Sequence, residues 1–224
     1  YIKERFPNKK IFEPIIDNYS NKKIRIGYYS ADFRNHPVSY QLVNLLEMHD
    51  KTKFEIVGMS LGKKNDDKIR KRIIKAFDEF YDLESKSDKE IIEFSRNLKI
   101  DIAVDLMGFT KNNRFEIFIN KCAPIQINYL GYPGTSGSKC IDYIIGDKIL
   151  IPENVKNQYS EKIINLPGSF MANDQNKKIS NKNFSRKEFG LLESSFVFCC
   201  FNNFYKITPK IFDIWMRLLK KVEG

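Results

Sequence analysis

Apolar and polar positions follow two different periods along the chain, and each period predicts a type of secondary structure. Short, mostly apolar runs are typical of buried strands; they are "IRIGYYS", "FEIVGMS", "IDIAVDLM" and "APIQINYL", with the shorter "DYIIGD" and "KIINLP". Apolar residues at helical spacing occur in "VSYQLVNLLEMH", "DDKIRKRIIKAF", "DKEIIEFSRNL" and "RFEIFINK". Because strands that alternate with amphipathic helices form a mostly parallel sheet covered on both faces, the pattern predicts an α/β fold.

The same pattern divides the chain into four parts. Residues 1–23 have no clean period and are broken by prolines, and the chain starts without Met, so we expect a linker from a missing upstream region. Strand and helix alternate over residues 24–166, which we expect to form one lobe. Residues 167–193 are polar and largely aperiodic, as a linker between lobes should be.

Residues 194–224 begin a second domain. They contain a predicted strand, "SFVFCCF", a loop, "NNFYK", and a predicted helix, "TPKIFDIWMRLLKKV". Thr208 followed by Pro209 is a helix start, because the hydroxyl caps the first turn and proline needs no partner for an N–H there. One strand cannot form a sheet, so we interpret this part as the truncated start of a further lobe.

The net charge of +10, from 38 Lys and Arg against 28 Asp and Glu, suggests nucleic acid as one class of partner. The lysines, however, are scattered among acidic residues, and the chain shows no RNA-binding motif or clustered arginine face. A solvated surface is therefore favoured, and nucleic-acid binding is the least favoured hypothesis.

Four cysteines, Cys122, Cys140, Cys199 and Cys200, lack the spacing of metal ligands. Adjacent residues on a strand point to opposite faces, so the neighbouring pair is poorly placed to form a disulfide. Reduced thiols in a core are expected, which favours the cytoplasm. The chain shows no signal peptide at its start and no apolar stretch near 18 residues, so we expect no membrane partner.

Three loops follow predicted strands, at residues 31–37, 107–114 and 130–139. Ligands bind at the carboxyl ends of parallel strands, so we expect these loops to meet at one edge of the sheet. The first loop contains His36, which is suited to general acid or base work. Pro37 restricts the backbone of His36 and can open the next helix. The alternative is a histidine that hydrogen-bonds its own loop. His49 ends a helix, where a cation interacts favourably with the helix dipole, so a structural role is favoured for it.

The other loops contain residues suited to anions or sugars. Glycines and hydroxyls in "LGYPGTSGSK" allow close approach of backbone N–H groups to a phosphate or sugar, although a long turn between strands explains them equally well. Thr110, Lys111 and Arg114 suit an anion, but Thr110 is also a possible helix N-cap. Lys206, with Asn203, precedes a helix N-terminus, where a lysine can stabilise a phosphate; an ordinary surface position is the alternative.

Taken together, these segments resemble the O-linked N-acetylglucosamine transferase family, including the SPINDLY-type enzymes and their bacterial relatives. The resemblance rests on "IRIGYYSADFRNHPVSY", "IDIAVDLMGFTKNNRFEIF", "APIQINYLGYPGTSG", "DYIIGD", "YSEKIINLP" and "FVFCCFNNFYKITPKIFDIWMRLL", which cover nearly all of residues 24–224. It implies a GT-B glycosyltransferase of two Rossmann-like lobes, usually behind an N-terminal tetratricopeptide array. It also implies inverting transfer of N-acetylglucosamine or a related sugar from a UDP-sugar to Ser or Thr of an acceptor protein.

The resemblance also implies roles for individual residues. His36 matches the active-site histidine, Lys206 the lysine that stabilises the leaving diphosphate, and Asn203 a donor-binding position. Residues of the cleft wall and substrate loops are Thr110, Lys111, Gly131, Tyr132, Pro133, Gly134, Thr135, Ser136 and Gly137. No metal cofactor is expected, because lysine and helix N-termini can stabilise the leaving group.

Two departures from the family pattern accompany this resemblance. Met107 replaces a residue that is commonly Asn, and Asn112–Asn113 replace small residues, which affects the expected acceptor-side contacts. The later motifs that bind uridine and ribose are absent, so we expect this chain alone to show no sugar transfer and to bind UDP weakly. The alternative function is a non-catalytic binding module that retains the lobe fold.

Overall fold

The computed structural model describes residue 15 and residues 21–222. They fall into two compact units, Tyr1–Lys177 and Lys178–Gly224. The boundary between the units lies inside the segment expected to link two lobes. Most of the expected N-terminal linker, residues 1–23, lies outside the described residues.

The first unit is built on one sheet of seven parallel strands in the order β3-β2-β1-β4-β5-β6-β7. The strands are β1 Ile24–Ser30, β2 Phe54–Ser60, β3 Glu79–Asp82, β4 Ile102–Asp105, β5 Ile125–Asn128, β6 Tyr143–Gly146 and β7 Lys162–Asn165. Six of these were predicted from apolar runs. The seventh, β3, was missed because its four residues, "EFYD", carry no strand pattern of their own; pairing with β2 makes them a strand.

Helices cover the two faces of this sheet. They are α1 Pro37–Glu47, α2 Lys68–Ala76, α3 Asp88–Asn97 and α4 Glu116–Ile119. Leu42 of α1 and Ile73 of α2 are buried in one apolar cluster, and Ile91 of α3 and Phe118 of α4 are buried in the other. Successive residues of β1, Tyr28 and Tyr29, belong to different clusters, as the alternation of a strand requires. The predicted α/β fold is confirmed.

Local sequence explains where the helices begin. Asp67 caps α2, because its carboxylate accepts a hydrogen bond from Arg70 N at 2.8 Å. Ser87 and Glu90 form a reciprocal capping box at the start of α3. The short helix α4 has no side-chain cap.

The second unit contains the helix α5, Pro209–Leu219, together with two short 3-10 turns, Lys187–Phe189 and Phe204–Lys206. Thr208 caps α5 as predicted, since its hydroxyl accepts a hydrogen bond from Ile211 N at 3.4 Å. The predicted strand "SFVFCCF" is not formed, and no strand occurs among the described residues of this unit. A strand requires a hydrogen-bonded neighbour, and an apolar run alone does not supply one.

The cysteines differ in burial. All four are free, but only Cys122 is fully buried; Cys140 is partly buried, and Cys199 and Cys200 are exposed. The expectation of core thiols is therefore wrong for the adjacent pair, because the strand that would have buried them is not formed. In the described part of the chain, no helix is both long enough and apolar enough to cross a membrane.

Candidate functional site

The order of the strands places a crevice between β1 and β4. From β1 the chain continues to β2 on one side, whereas β4 and β5 follow on the other, so the direction of the sheet order reverses between β1 and β4. Ligands of open α/β sheets bind outside the carboxyl ends of the strands at such a point. The loops that follow β1 and β4 both begin there.

A cavity of about 230 Å³ lies at this edge. It is lined by Asp32, Arg34, His36, Val38, Leu106, Thr110, Lys111, Asn112 and Gly131. The lining comes from the loops after β1, β4 and β5 and from the start of α1. The prediction that three strand-end loops meet at one edge is thus confirmed.

His36 is the residue from which α1 begins. Its backbone is extended (φ −152°, ψ 147°), and its Nδ1 atom accepts a hydrogen bond from Val38 N at 3.4 Å. Pro37 occupies the first turn of the helix, as the sequence indicated. The imidazole is 32% exposed and lines the cavity. The hydrogen bond of His36 is thus to the first turn of α1 rather than to its own loop, and the residue also has a place in the cavity wall.

Asp32 and Arg34 are cavity residues that sequence reasoning missed. One carboxylate oxygen of Asp32 accepts a hydrogen bond from Arg34 Nη2 at 2.7 Å, and the other, Oδ2, lies 3.7 Å from His36 Nδ1. The detectable signal was the presence of charged residues directly after a buried strand, with an acid four positions before the histidine.

The loop that carries His36 is held from α2. Asn35 N donates to Asp67 Oδ2 at 2.6 Å, and Arg70 Nη1 donates to the Phe33 carbonyl oxygen at 2.8 Å. Arg70 is 2% exposed and also forms an ion pair with Asp82. The start of α2 therefore helps to hold the His36 loop in place.

Asp105 shapes the loop that follows β4. Its carboxylate accepts hydrogen bonds from Met107 N at 2.8 Å and from Gly108 N at 3.1 Å. Burial raises the pKa of this carboxyl to about 6, against the opposite effect of the two hydrogen bonds. Residue type and spacing do not single out Asp105, because its partners are main-chain groups of the loop itself.

Within the same loop, Thr110 and Lys111 line the cavity and Arg114 does not. The Thr110 hydroxyl donates to the Met107 carbonyl oxygen at 2.8 Å, so the helix N-cap alternative for Thr110 is wrong. Arg114 instead donates to Asp88 Oδ1 at 2.6 Å near the start of α3. Met107 is buried with its sulfur 3.4 Å from Ala31 N, between the strand ends.

The loop after β5 contributes Gly131 to the cavity, while its hydroxyls are engaged elsewhere. Thr135 Oγ1 donates to Glu161 Oε2 at 2.7 Å, and Ser136 N donates to Glu161 Oε1 at 2.6 Å. Glu161 is buried and directly precedes β7, so these hydrogen bonds hold the loop against the start of that strand. For Thr135 and Ser136, the structure thus agrees with the alternative of a long turn between strands.

The remaining members of the predicted loop support its conformation. Asn128 Nδ2 donates to the carbonyl oxygens of Tyr132 at 3.0 Å and Gly134 at 3.3 Å. The Pro133 carbonyl accepts from the Tyr159 hydroxyl at 3.2 Å. Gly137 has a left-handed backbone (φ +63°), which favours glycine. Of residues 131–137, Gly131 alone lines the 230 Å³ cavity described here.

Asn203 and Lys206 belong to the second unit. Asn203 precedes the 3-10 turn that Lys206 ends, and Lys206 N donates to the Asn203 carbonyl oxygen at 3.0 Å. Both side chains are exposed. Lys206 stands two residues before Thr208, the N-cap of α5, which is the sequence relation to a helix N-terminus that was predicted.

His49, the second histidine, has the structural role that was favoured. Its Nε2 atom lies 2.8 Å from the Tyr28 hydroxyl. Burial, followed by the charge of Lys51, lowers the pKa of His49. The neutral ring is thereby favoured, so a cation at the end of α1 does not explain this residue.

The described residues contain no group of three or more His, Cys, Asp or Glu side chains placed to hold a metal ion. Activity without a metal stays a prediction.

These features define a Rossmann-like lobe with a ligand crevice at the switch point of its sheet. The chain matches the profile of glycosyl transferase family 41 over residues 8–184 and 176–224, and it belongs to this family. The resemblance identified from the sequence motifs is therefore confirmed.

Several relatives carry informative names. The chain is 37% identical over 206 residues to the Arabidopsis thaliana "probable UDP-N-acetylglucosamine–peptide N-acetylglucosaminyltransferase SEC", covering 90% of this chain and 21% of the relative. It is 35% identical over 202 residues to the SPINDLY protein of the same plant, covering 88% of this chain and 22% of the relative. The chain thus spans about a fifth of the length of these curated relatives.

A solved structure of a Thermobaculum terrenum O-GlcNAc transferase mutant has a similar fold. Its TM-score is 0.66 at 31% identity, and the match covers 70% of this chain and 30% of the solved chain. At this identity, the likeness supports the assignment of the chain to the family as well as its fold.

Proposed function

We propose that the full-length protein containing this chain is an inverting glycosyltransferase. It transfers N-acetylglucosamine, or a related sugar, from a UDP-sugar to a Ser or Thr hydroxyl of an acceptor protein. Membership of glycosyl transferase family 41 and the names of the relatives support this reaction. The observation that carries the proposal is the cavity in which three strand-end loops surround His36.

The proposed roles follow from what an inverting transfer requires. The acceptor oxygen forms a bond to the sugar as the bond to UDP breaks, the acceptor proton leaves, and negative charge develops on the diphosphate. His36 is the proposed active-site histidine of the first lobe, and Thr110, Lys111 and Gly131 form the wall around it. Lys206 is proposed to stabilise the diphosphate from beside the N-terminus of α5.

Asn203 is proposed to contact the donor next to Lys206. Both side chains are exposed, so a ligand can reach them without rearrangement of the second unit. A lysine near a helix N-terminus supplies the positive charge that a metal would otherwise provide, and we therefore propose that the reaction requires no metal.

We also propose an arrangement for the whole protein. The lobe at residues 24–166 and the start of a donor-binding lobe at residues 194–224 are joined by residues 167–193. A tetratricopeptide array lies upstream, and the enzyme acts on proteins in the cytoplasm. The boundary between the two compact units, after Lys177, supports the position of the linker.

A transfer assay on the full-length protein with labelled UDP-sugars tests this function. Substitution of His36→Ala is expected to lower turnover by about 100-fold or more, the scale of a positioned acid–base group or of a preorganised hydrogen-bond donor. Lys206→Ala is expected to lower turnover by a similar factor. Matched controls are His49→Gln, at the other histidine, and Lys210→Ala, at an exposed lysine of α5.

Folding of each variant is checked by circular dichroism. Normal turnover in a folded His36→Ala protein would contradict the role of this histidine. Binding of UDP-sugar by the full-length protein without transfer or hydrolysis would instead favour the non-catalytic binding module.

A further inference from the structure

The Nδ1 atom of His36 has two neighbours that make opposite demands on it. Val38 N, 3.4 Å away, donates a hydrogen and requires a lone pair on Nδ1. Asp32 Oδ2, 3.7 Å away, is a carboxylate oxygen and would favour a hydrogen on Nδ1. A neutral imidazole carries one N-bound hydrogen, on either Nδ1 or Nε2, so Nδ1 can satisfy only one of these neighbours at a time.

The geometry favours the Val38 N–H group. His36 is the N-cap of α1, where the side chain of the cap accepts from a first-turn N–H group. Asp32 Oδ2 lies beyond hydrogen-bond distance, and the other oxygen of Asp32 already accepts from Arg34 Nη2 at 2.7 Å. The hydrogen bond that exists at Nδ1 is therefore the one from the helix.

We propose that neutral His36 is the Nε2-protonated tautomer and presents this N–H group to the cavity as a hydrogen-bond donor. Among the described residues, Nε2 of His36 has no hydrogen-bond partner, and the ring lines the cavity. A ligand oxygen, from a phosphate or a sugar, is the chemistry that such a donor recognises. A second proton binds at Nδ1, with loss of the Val38 bond and with Asp32 as the ion-pair partner.

This tautomer limits what His36 does in the proposed reaction. An Nε2 atom that already carries hydrogen has no lone pair with which to remove a proton from an acceptor hydroxyl. His36 then acts by donating a hydrogen bond, and Asp32 is a positioning residue for its charged form. The assignment of the tautomer is independent of the proposed function, whereas the catalytic consequence rests on the proposed function.

Charged groups around the ring are few in the described structure. Asp32 and Arg34 come from the same loop, and Lys111 comes from the loop after β4. The carboxylate of Asp32 is thus balanced by a guanidinium that lines the same cavity.

The tautomer is measured by long-range 1H–15N correlation spectra of the chain labelled with 15N-histidine, at a pH where the ring is neutral. The chain contains two histidines, and the His49→Gln variant identifies the signals of His36. We expect Nε2 to give the signal of a protonated ring nitrogen and Nδ1 that of an unprotonated one. A hydrogen on Nδ1, or equal amounts of the two tautomers, would overturn the proposal.

The Asp32→Asn variant shows which neighbour selects the tautomer. We expect the neutral ring to remain protonated at Nε2, because the Val38 N–H group is unchanged. If the wild type is protonated at Nδ1 and this substitution moves the hydrogen to Nε2, then Asp32 selects the tautomer and His36 is able to act as a base through Nε2.

The catalytic consequence is tested in the full-length protein by comparing His36→Gln with His36→Asn. A glutamine amide reaches to where Nε2 lies and keeps a donor there, whereas an asparagine caps the helix but ends near Nδ1. We expect the glutamine variant to retain at least about tenfold more turnover, the worth of one hydrogen bond. Equal turnover would overturn the donor role. Absence of transfer by the wild type would refute the proposed function and leave the tautomer measurement valid.

Discussion

Gly131 lies against the main-chain oxygen of Leu106 so closely that a Cβ atom at position 131 would stand 1.8 Å from it. This contact joins the loop after β5 to the end of β4, and both residues line the cavity. The obstacle is backbone rather than the end of a flexible side chain. No residue larger than glycine fits unless one of the two loops moves.

Substitution of Gly131→Ala is therefore expected to lower the free energy of unfolding by about 1–3 kcal/mol, the usual cost of overpacking. Urea unfolding followed by circular dichroism measures the change. Gly168→Ala is the matched control, because a Cβ there meets no atom within 4 Å and the backbone is not left-handed. Equal losses in the two variants would show that the loops adapt to the extra methyl group.

Arg70 is a buried cation whose loss is expected to be costly. Its guanidinium donates to the Phe33 carbonyl and to Ser60 Oγ, pairs with Asp82, and lies 5.1 Å from the centre of the Phe80 ring. Substitution of Arg70→Met removes the charge but keeps an unbranched apolar chain. We expect a loss of about 1–3 kcal/mol in the free energy of unfolding, because the Phe33 carbonyl and the Ser60 hydroxyl lose their hydrogen-bond donor.

The neighbouring Lys71 provides the comparison for Arg70. Its ion pair with Asp66 is exposed, so Lys71→Met is expected to change the free energy of unfolding by at most about 1 kcal/mol. Chemical unfolding of both variants measures the two changes in the free energy of unfolding. If Arg70→Met were no more costly than Lys71→Met, the anchoring of the His36 loop by α2 would be refuted.

The raised pKa of Asp105 leads us to expect a specific dependence of stability on pH. Burial raises the pKa of this carboxyl to about 6 in the folded chain, above the value of about 3.9 for an unfolded Asp. The folded state therefore binds the proton more tightly. The stabilisation from protonation of Asp105 is complete below about pH 4 and is lost as the pH rises through 6.

The measurement compares wild type with Asp105→Asn from pH 4 to pH 7. The stability of the wild type relative to this variant is expected to fall with rising pH, by at most about 1.4 kcal/mol per pH unit. Taking the difference removes the contributions of the other carboxylates. Parallel curves would show that Asp105 does not titrate in this range.

Thiol labelling distinguishes the cysteines by their burial. Cys199 and Cys200 are exposed, whereas Cys122 is fully buried and burial raises the pKa of its thiol to about 12. Because the thiolate is the reactive form, we expect a maleimide to label the adjacent pair in the native chain and Cys122 only after unfolding. Mass spectrometry of digested samples, with a denatured control, identifies each site. Native labelling of Cys122 at the rate of Cys199 would contradict this burial.

The sequence by itself determined the elements that depend on local pattern. Apolar runs gave six of the seven strands, and amphipathic spacing gave the helices of the first unit. Pro37 after His36 and Pro209 after Thr208 specified two helix starts, because capping involves groups only two or three residues apart. Parallel strands then required that the loops at their carboxyl ends share one edge.

Only the tertiary structure decided which side chains serve the cavity and which hold the fold. Thr135 hydrogen-bonds to Glu161 and Arg114 to Asp88, each partner being 26 positions away. These side chains therefore hold the fold and do not line the cavity, although their residue types suggested a ligand-binding role. The strand β3 exists because β2 pairs with it, while "SFVFCCF" has no strand to pair with among the described residues of its unit. The physical reason is common to these cases. A hydrogen bond or a strand pairing depends on groups far apart in the sequence, and the periodicity of one segment contains no information about where the other segment lies.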